Sequence, residues 1–150
     1  MAQLSKALFS SAKEDWETPQ DFFDALDREF HFTLDPCADD ANAKCKKYFT
    51  KEDNGLLKDW GGHRVFCNPP YGRTSTGEWI KKCYEEAQKP GTVVVALIPA
   101  RTDTKFFHEY IYHKAEIRFI KGGLHFGGSK DAAPFPSMVV VFGKGAESEE

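Results

Sequence analysis

Nothing in these 150 residues reads as a membrane anchor, because no apolar run approaches the roughly 20 residues that span a bilayer. The opening Met1-Ala2-Gln3-Leu4-Ser5-Lys6 also lacks the apolar core of a secretory signal. A cytoplasmic protein without membrane partners is therefore expected. Cysteine is sparse: Cys37, Cys45, Cys67 and Cys83 are widely spaced, and no C-x-x-C pair marks a zinc site. Histidine gives no alternative, since His108 and His113 stand five residues apart, an offset unsuited to shared ligation; no metal is expected. Repeats and linkers are missing too, so one domain over residues 1–150 is expected, with mobile tails at 1–15 and 147–150.

A large excess of charge of either sign is missing. The net charge of −3 divides into 8 basic and 13 acidic side chains over residues 1–63, against 12 basic and 7 acidic over residues 64–146. The mildly basic second half suits contact with an anionic polymer. With 41% hydrophobic and 29% charged residues, the chain has the make-up of an ordinary globular domain.

Apolar spacing supplies the elements. Thr18 reads as an N-cap and Pro19 as the first residue of a helix whose Phe22, Phe23, Leu26 and Phe30 share a face. Phe32 to Asp35 is a short strand, and Tyr48-Phe49 a short strand or an anchored turn. Asn54-Gly55 marks a sharp turn. Arg64 to Cys67 is a buried strand, followed after a loop by a helix burying Trp79, Ile80, Cys83 and Ala87. Thr92 to Ile98 is an unbroken, largely β-branched run, as in strands of a parallel sheet covered on both faces. Thr102 can cap a helix carrying Phe106, Phe107, Tyr110 and Ile111. Ala115 to Ile120 and Met138 to Phe142 close the chain as strands around a glycine-rich turn region. This alternation predicts an α/β fold: a three-layer, mostly parallel sheet with an antiparallel hairpin at one edge.

The strand ending at Cys67 runs into Asn68-Pro69-Pro70-Tyr71. Two prolines fix the backbone and offer carbonyl acceptors without N–H donors. The Asn68 oxygen adds an acceptor and Tyr71 an aromatic plane. Such a set suits one difficult task, making the amino group of a flat nitrogen heterocycle nucleophilic. That nitrogen shares its lone pair with the ring. If Asn68 and the Pro69 carbonyl each accept one of its hydrogens, the lone pair turns toward an electrophile while Tyr71 stacks on the ring. A plain Pro-rich turn is the alternative.

Together with Trp16-Glu17-Thr18-Pro19, Leu34-Asp35-Pro36-Cys37-Ala38, Asn42-Ala43-Lys44-Cys45, Asp53-Asn54-Gly55-Leu56 and Pro99-Ala100-Arg101-Thr102-Asp103, the tetrapeptide carries a resemblance. From about Trp16 to Phe142 the chain resembles the phage-type, Dam-like DNA N6-adenine methyltransferases. These are compact members of the class I S-adenosylmethionine-dependent enzymes with a Rossmann-like sheet. The resemblance implies S-adenosylmethionine as methyl donor and DNA as partner, with the adenine flipped out of the duplex. Asn68, Pro69, Pro70 and Tyr71 match the catalytic tetrapeptide, with Asn where the family often has Asp. Trp16, Thr18 and Pro19 fall in the segment near the methionine end of the cofactor, where a helix N-terminus meets its carboxylate.

Asp35, Pro36, Cys37 and Ala38 stand at the cofactor loop, although the familiar G-x-G is absent. Asp35 either pairs with the cofactor ammonium or shapes a surface turn. Asp53 is the acidic candidate for the cofactor's ribose or adenine, ahead of Asp39 and Asp40, or else closes an Asx-turn on Gly55. Arg73, Arg101 and Lys121 are the DNA-binding candidates, with Arg101 also able to close over the site. Two rivals remain: a methyltransferase acting on RNA adenine or protein glutamine, and a DNA-binding protein without catalysis on the same fold. Little more than loops can serve target recognition, so a short recognition sequence or help from a second protomer is implied.

Overall fold

A computed structural model describes residues 15–128 and 130–143. Apart from Asp15, the tails expected at 1–15 and 147–150 lie outside the described residues. The elements are helix α1 (Gln20–Phe30), strand β1 (Arg64–Cys67), helix α2 (Ser75–Glu86) and strands β2 (Val93–Pro99), β3 (Glu116–Phe119) and β4 (Ser137–Phe142).

Helix α1 buries Phe23, Leu26 and Phe30, three and four residues apart on one stripe. It stops at His31, which adopts a left-handed conformation (φ 55°) and donates its N–H to the Asp27 carbonyl at 2.8 Å. The Asp27 carboxylate then takes the Phe32 N–H at 2.8 Å. Helix α2 buries Thr76, Trp79, Ile80, Cys83 and Glu86 at the same spacing. Alternate residues of a strand point to opposite faces. Phe66 meets Phe23 of α1 edge-on at 5.1 Å, whereas Cys67 neighbours Cys83 of α2, so the two helices cover opposite faces of β1.

The sheet order is β1-β2-β4-β3. β1 and β2 are parallel (Val65 beside Val94), whereas β4 is antiparallel to both β2 (Leu97 beside Val139) and β3 (Ile117 beside Val140). The mostly parallel sheet expected from the sequence is thus a mixed one, with two of its three pairings antiparallel. The Val93–Ile98 run is buried because β2 lies between β1 and β4 under helices, and such burial is silent about a neighbour's direction. The antiparallel β3–β4 pair does occupy one edge. The expected strand from Phe32 to Asp35 appears as single parallel bridges, Leu34 to Val65 and Asp35 to Tyr48. Thr102 does not cap the next helical segment. The Thr104 hydroxyl takes the Phe107 N–H at 3.4 Å, and the segment Phe107–Ile111 winds as a π-helical turn.

The irregular stretch from residue 38 to 60 is moored to α2 through Trp60, which is fully buried. Its backbone N–H donates to the Glu86 carboxylate at 2.7 Å, and its ring stacks on Trp79 at 6.2 Å. Lys89 and Lys82 complete the Glu86 shell at 2.8 and 3.2 Å. Burial alone would raise the Glu86 carboxyl, but these three donors outweigh it and hold the group below its ordinary 4.5. Glu86→Gln is expected to lower the unfolding free energy by about 2 kcal/mol at neutral pH, read from urea denaturation. Because the folded-state pKa is depressed, this stabilisation is present above pH 4.5 and fades as the pH falls through the folded value. Wild type and variant should therefore converge in acid.

Candidate active site

Strand direction gathers the site at one end of the sheet. β1, β2 and β3 all point the same way, since β4 is antiparallel to both β2 and β3. Asn68 directly follows β1, Arg101 follows β2, and Lys121 follows β3. All three lie at the carboxyl edge, where open α/β sheets collect ligands. Arg73, Arg101 and Lys121 are exposed.

Asn68 is held from three sides. Its amide nitrogen donates to the Trp16 carbonyl and, at 2.8 Å, to the Thr18 hydroxyl. Its amide oxygen accepts the Tyr71 hydroxyl at 2.6 Å. Both N–H hydrogens are thus committed, which sets the orientation of the amide and leaves the oxygen a second lone pair. The Thr76 hydroxyl fixes the turn from the other side, donating to the Pro70 carbonyl at 2.9 Å and accepting the Gly72 N–H at 3.0 Å.

The Asn68 bond also corrects the reading of Thr18 as an N-cap. No side chain caps α1; the Pro19 carbonyl accepts the Phe23 N–H at 3.1 Å, and the helix starts at Gln20. The Thr18 hydroxyl serves Asn68 instead.

Tyr71 differs from expectation as well. Its ring is only 8% exposed and lies edge-on to Phe126 at 6.1 Å and to Phe135 at 5.7 Å, so no open face awaits a base. The physical reason is its hydroxyl, which reaches inward to the Leu97 carbonyl at 2.8 Å as well as to Asn68. Trp16 joins the same aromatic cluster at 5.6 Å from Phe126 and 5.0 Å from Phe135, and the Gly127 N–H donates to the Glu17 carbonyl at 2.7 Å. The glycine-rich β3–β4 connection is thereby pinned to the segment before α1.

Beside Asn68 opens a cavity of about 620 Å³. Of the sequence-predicted cofactor residues, Trp16, Thr18, Asp35, Pro36, Cys37, Ala38 and Asn68 line it. Pro19 lines a neighbouring groove of about 790 Å³ that shares Glu17, Thr18 and Lys44 with the cavity. Asp53 lines neither. Its carboxylate closes the Thr50–Asp53 turn, accepting the Thr50 N–H at 2.9 Å and hydroxyl at 3.1 Å, and these bonds hold it below the usual carboxylate range. This is not the Asx-turn on Gly55, where the Asn54 side chain instead accepts the Leu56 N–H at 3.3 Å. The acids that do line the cavity include Asp39, Asp40 and Glu52.

Asp35 is buried, with its two oxygens accepting the Lys44 N–H at 3.0 Å and the Cys37 N–H at 3.4 Å. Burial raises its pKa despite those bonds and the Lys44 charge. Burial, followed by the Asp35 charge, pushes the Cys37 thiol up to about 12, so it serves as a protonated wall. Among the described residues, no group of three His, Cys, Asp or Glu side chains is arranged to hold a metal ion.

Several lining residues escaped the sequence reading. Lys44 places its ammonium 2.9 Å from the Gln20 side-chain oxygen at the start of α1. Phe66, Trp79 and Leu56 supply apolar surface. Gly55 abuts Pro36 so closely that a Cβ there would lie 2.2 Å from the Pro36 carbonyl oxygen. The Asn54-Gly55 pair was visible as a turn, but its contact with Pro36 spans nineteen positions and leaves no local trace.

A sequence model described as DNA N-6-adenine-methyltransferase (Dam) matches residues 5–145. The chain is 32% identical over 111 residues to the DNA N-6-adenine-methyltransferase of Escherichia phage T1, covering 73% of this chain and 45% of that protein. It therefore spans about half the length of that relative. It is 29% identical over 140 residues to the DNA N-6-adenine-methyltransferase of Haemophilus phage HP1, covering 88% of this chain and 80% of the relative. With the family model matched over nearly its whole length, the chain belongs to the DNA N-6-adenine-methyltransferase (Dam) family.

Proposed function

We propose that this chain transfers a methyl group from S-adenosylmethionine to N6 of adenine in DNA, as a phage-encoded enzyme of the cytoplasm. The observation that carries this is Asn68, whose amide is oriented by three hydrogen bonds and which lines a cavity of cofactor size. We likewise take the fold as a variant of the class I, Rossmann-like sheet, on the strength of the parallel Leu34, β1 and β2 segments.

The lining suits S-adenosylmethionine. Acidic Asp35, Asp39, Asp40 and Glu52 favour a molecule that carries a sulfonium and an ammonium, while Leu56, Phe66 and Trp79 offer an apolar bed for its adenine. Lys44 is given the cofactor carboxylate, because it sits beside Gln20 and within the same walls as Thr18. When bound, the cofactor supplies an electrophilic methyl group. The protein's part is to prepare the acceptor. The Asn68 oxygen and the Pro69 carbonyl take the two hydrogens of the exocyclic amine, which turns its lone pair out of conjugation. The proton released after transfer goes to water, since the N-methylated cation is strongly acidic. Flipping the adenine costs a few kcal/mol, offset by phosphate contacts for which Arg73, Arg101 and Lys121 are the candidates.

Mass spectrometry of nucleosides from DNA incubated with the protein and S-adenosylmethionine tests the proposal. N6-methyladenine is expected. Methylation confined to RNA or to protein glutamine would replace the substrate, and absence of cofactor binding would remove the activity altogether.

A further inference from the structure

We propose that the Tyr71 hydroxyl is a placeholder for the substrate amine at Asn68, so that Tyr71 acts as a positioning residue through its single phenolic hydrogen. The inference rests on the adenine-methylating activity proposed above.

Ladder arithmetic explains why the hydroxyl is there. The β1–β2 register pairs Cys67 with Ala96, and the Val93 N–H donates to the His63 carbonyl at 3.1 Å. In a parallel ladder each bonded residue of one strand addresses the two residues flanking its neighbour. Continued by four residues, the pattern brings the Leu97 N–H to residue 67 and asks residue 69 to donate to the Leu97 carbonyl. Residue 69 is proline and has no N–H. The tetrapeptide thus creates an orphan acceptor on a buried strand, and the Tyr71 hydroxyl fills it at 2.8 Å.

The same oxygen lies 2.6 Å from the Asn68 amide oxygen. A phenol has one hydrogen, and here two acceptors are within its reach. Phe126 and Phe135 hold the ring edge-on, so the hydroxyl stays in place while its hydrogen turns between Asn68 and Leu97. Without substrate, donation to Asn68 keeps the catalytic oxygen hydrogen-bonded and correctly oriented. When an amine N–H arrives, the phenolic hydrogen moves to Leu97, and the Asn68 oxygen is free to polarise the amine. In both arrangements the phenolic hydrogen is bonded. The buried Leu97 carbonyl lacks its donor in the first and regains it in the second, which favours the exchange once the amine supplies Asn68 with a replacement. Burial raises the phenol pKa further, keeping that hydrogen on Tyr71.

The test is Tyr71→Phe, with rates expressed per mole of enzyme that binds S-adenosylhomocysteine. The expected result is a fall in kcat of about tenfold, with S-adenosylhomocysteine affinity and the KM for DNA within about twofold of wild type. An unchanged kcat would reduce the hydroxyl to a structural prop for Leu97. Affinity lost in parallel with kcat would also overturn the proposal. If the phenylalanine variant does not fold, 3,5-difluorotyrosine at position 71 keeps the hydroxyl but makes it more acidic. An alkaline loss of kcat, absent in wild type, is then expected, and a flat profile refutes the placeholder. Wild-type protein that does not methylate adenine at all would instead refute the activity on which this inference rests.

Discussion

Asn68→Ala is expected to lower methyl transfer to adenine by about 10²–10³-fold, the usual cost of removing one pre-placed polar group from a transition-state site. Cofactor affinity should stay within about twofold. The argument is one of division of labour. Alanine deletes the acceptor for the amine and frees the Trp16 carbonyl and the Thr18 hydroxyl. Trp16 nevertheless remains wedged against Phe126 and Phe135, and Glu17 remains bonded to Gly127. Other cavity walls, Pro36 and Leu56 among them, belong to segments that the substitution leaves intact. Single-turnover methylation and calorimetric titration with S-adenosylhomocysteine measure the two halves separately. Equal loss of both would mean that Asn68 builds the cofactor cavity rather than activating the amine. Asparagine does not titrate, so the pH–rate profile should also lack an acid limb from position 68.

What the sequence made legible was local. The α1 face of Phe23, Leu26 and Phe30, the strand before Asn68 and the end of the sheet at which the site lies all follow from short-range spacing. What it hid was set by partners far along the chain. Thr18 looks like a helix cap until Asn68, fifty positions on, claims its hydroxyl. Tyr71 looks like a stacking platform until Leu97 draws its hydroxyl inward. The antiparallel pairing of β4 with β2 could not be read because a buried apolar strand has the same composition beside a parallel or an antiparallel neighbour. Asp53 is the opposite case. Its Thr50 partner lies three positions away, and the carboxylate is engaged there, in a turn of its own segment, rather than on the cavity wall.

Gly55→Ala is the second large effect, and it acts on fold and cofactor together. The added methyl would lie 2.2 Å from the Pro36 carbonyl oxygen and 3.1 Å from the Trp79 ring. The first neighbour is backbone, so no rotamer change relieves the overlap. The turn at Gly55–Leu57 must move away, and with it the Gly55 carbonyl that accepts the Trp60 indole N–H at 3.0 Å. Overpacking of this kind costs about 1–3 kcal/mol, and a strained buried hydrogen bond adds about 1–2 more. A loss near 4 kcal/mol corresponds to roughly 10 °C in Tm for a domain of this size. Asn54, Gly55 and Leu56 are cavity wall, so S-adenosylhomocysteine affinity should fall by at least about tenfold in protein that is still folded. Gly77 provides the internal control. It lies within α2, and a methyl there would meet Phe106 at 3.5 Å, an ordinary contact. Gly77→Ala is therefore expected to stabilise by about 0.5–1 kcal/mol through helix propensity, with affinity unchanged. If both alanine variants unfold and bind alike, the approach of Gly55 to Pro36 is slack, and the cofactor wall must lie elsewhere along residues 50–56.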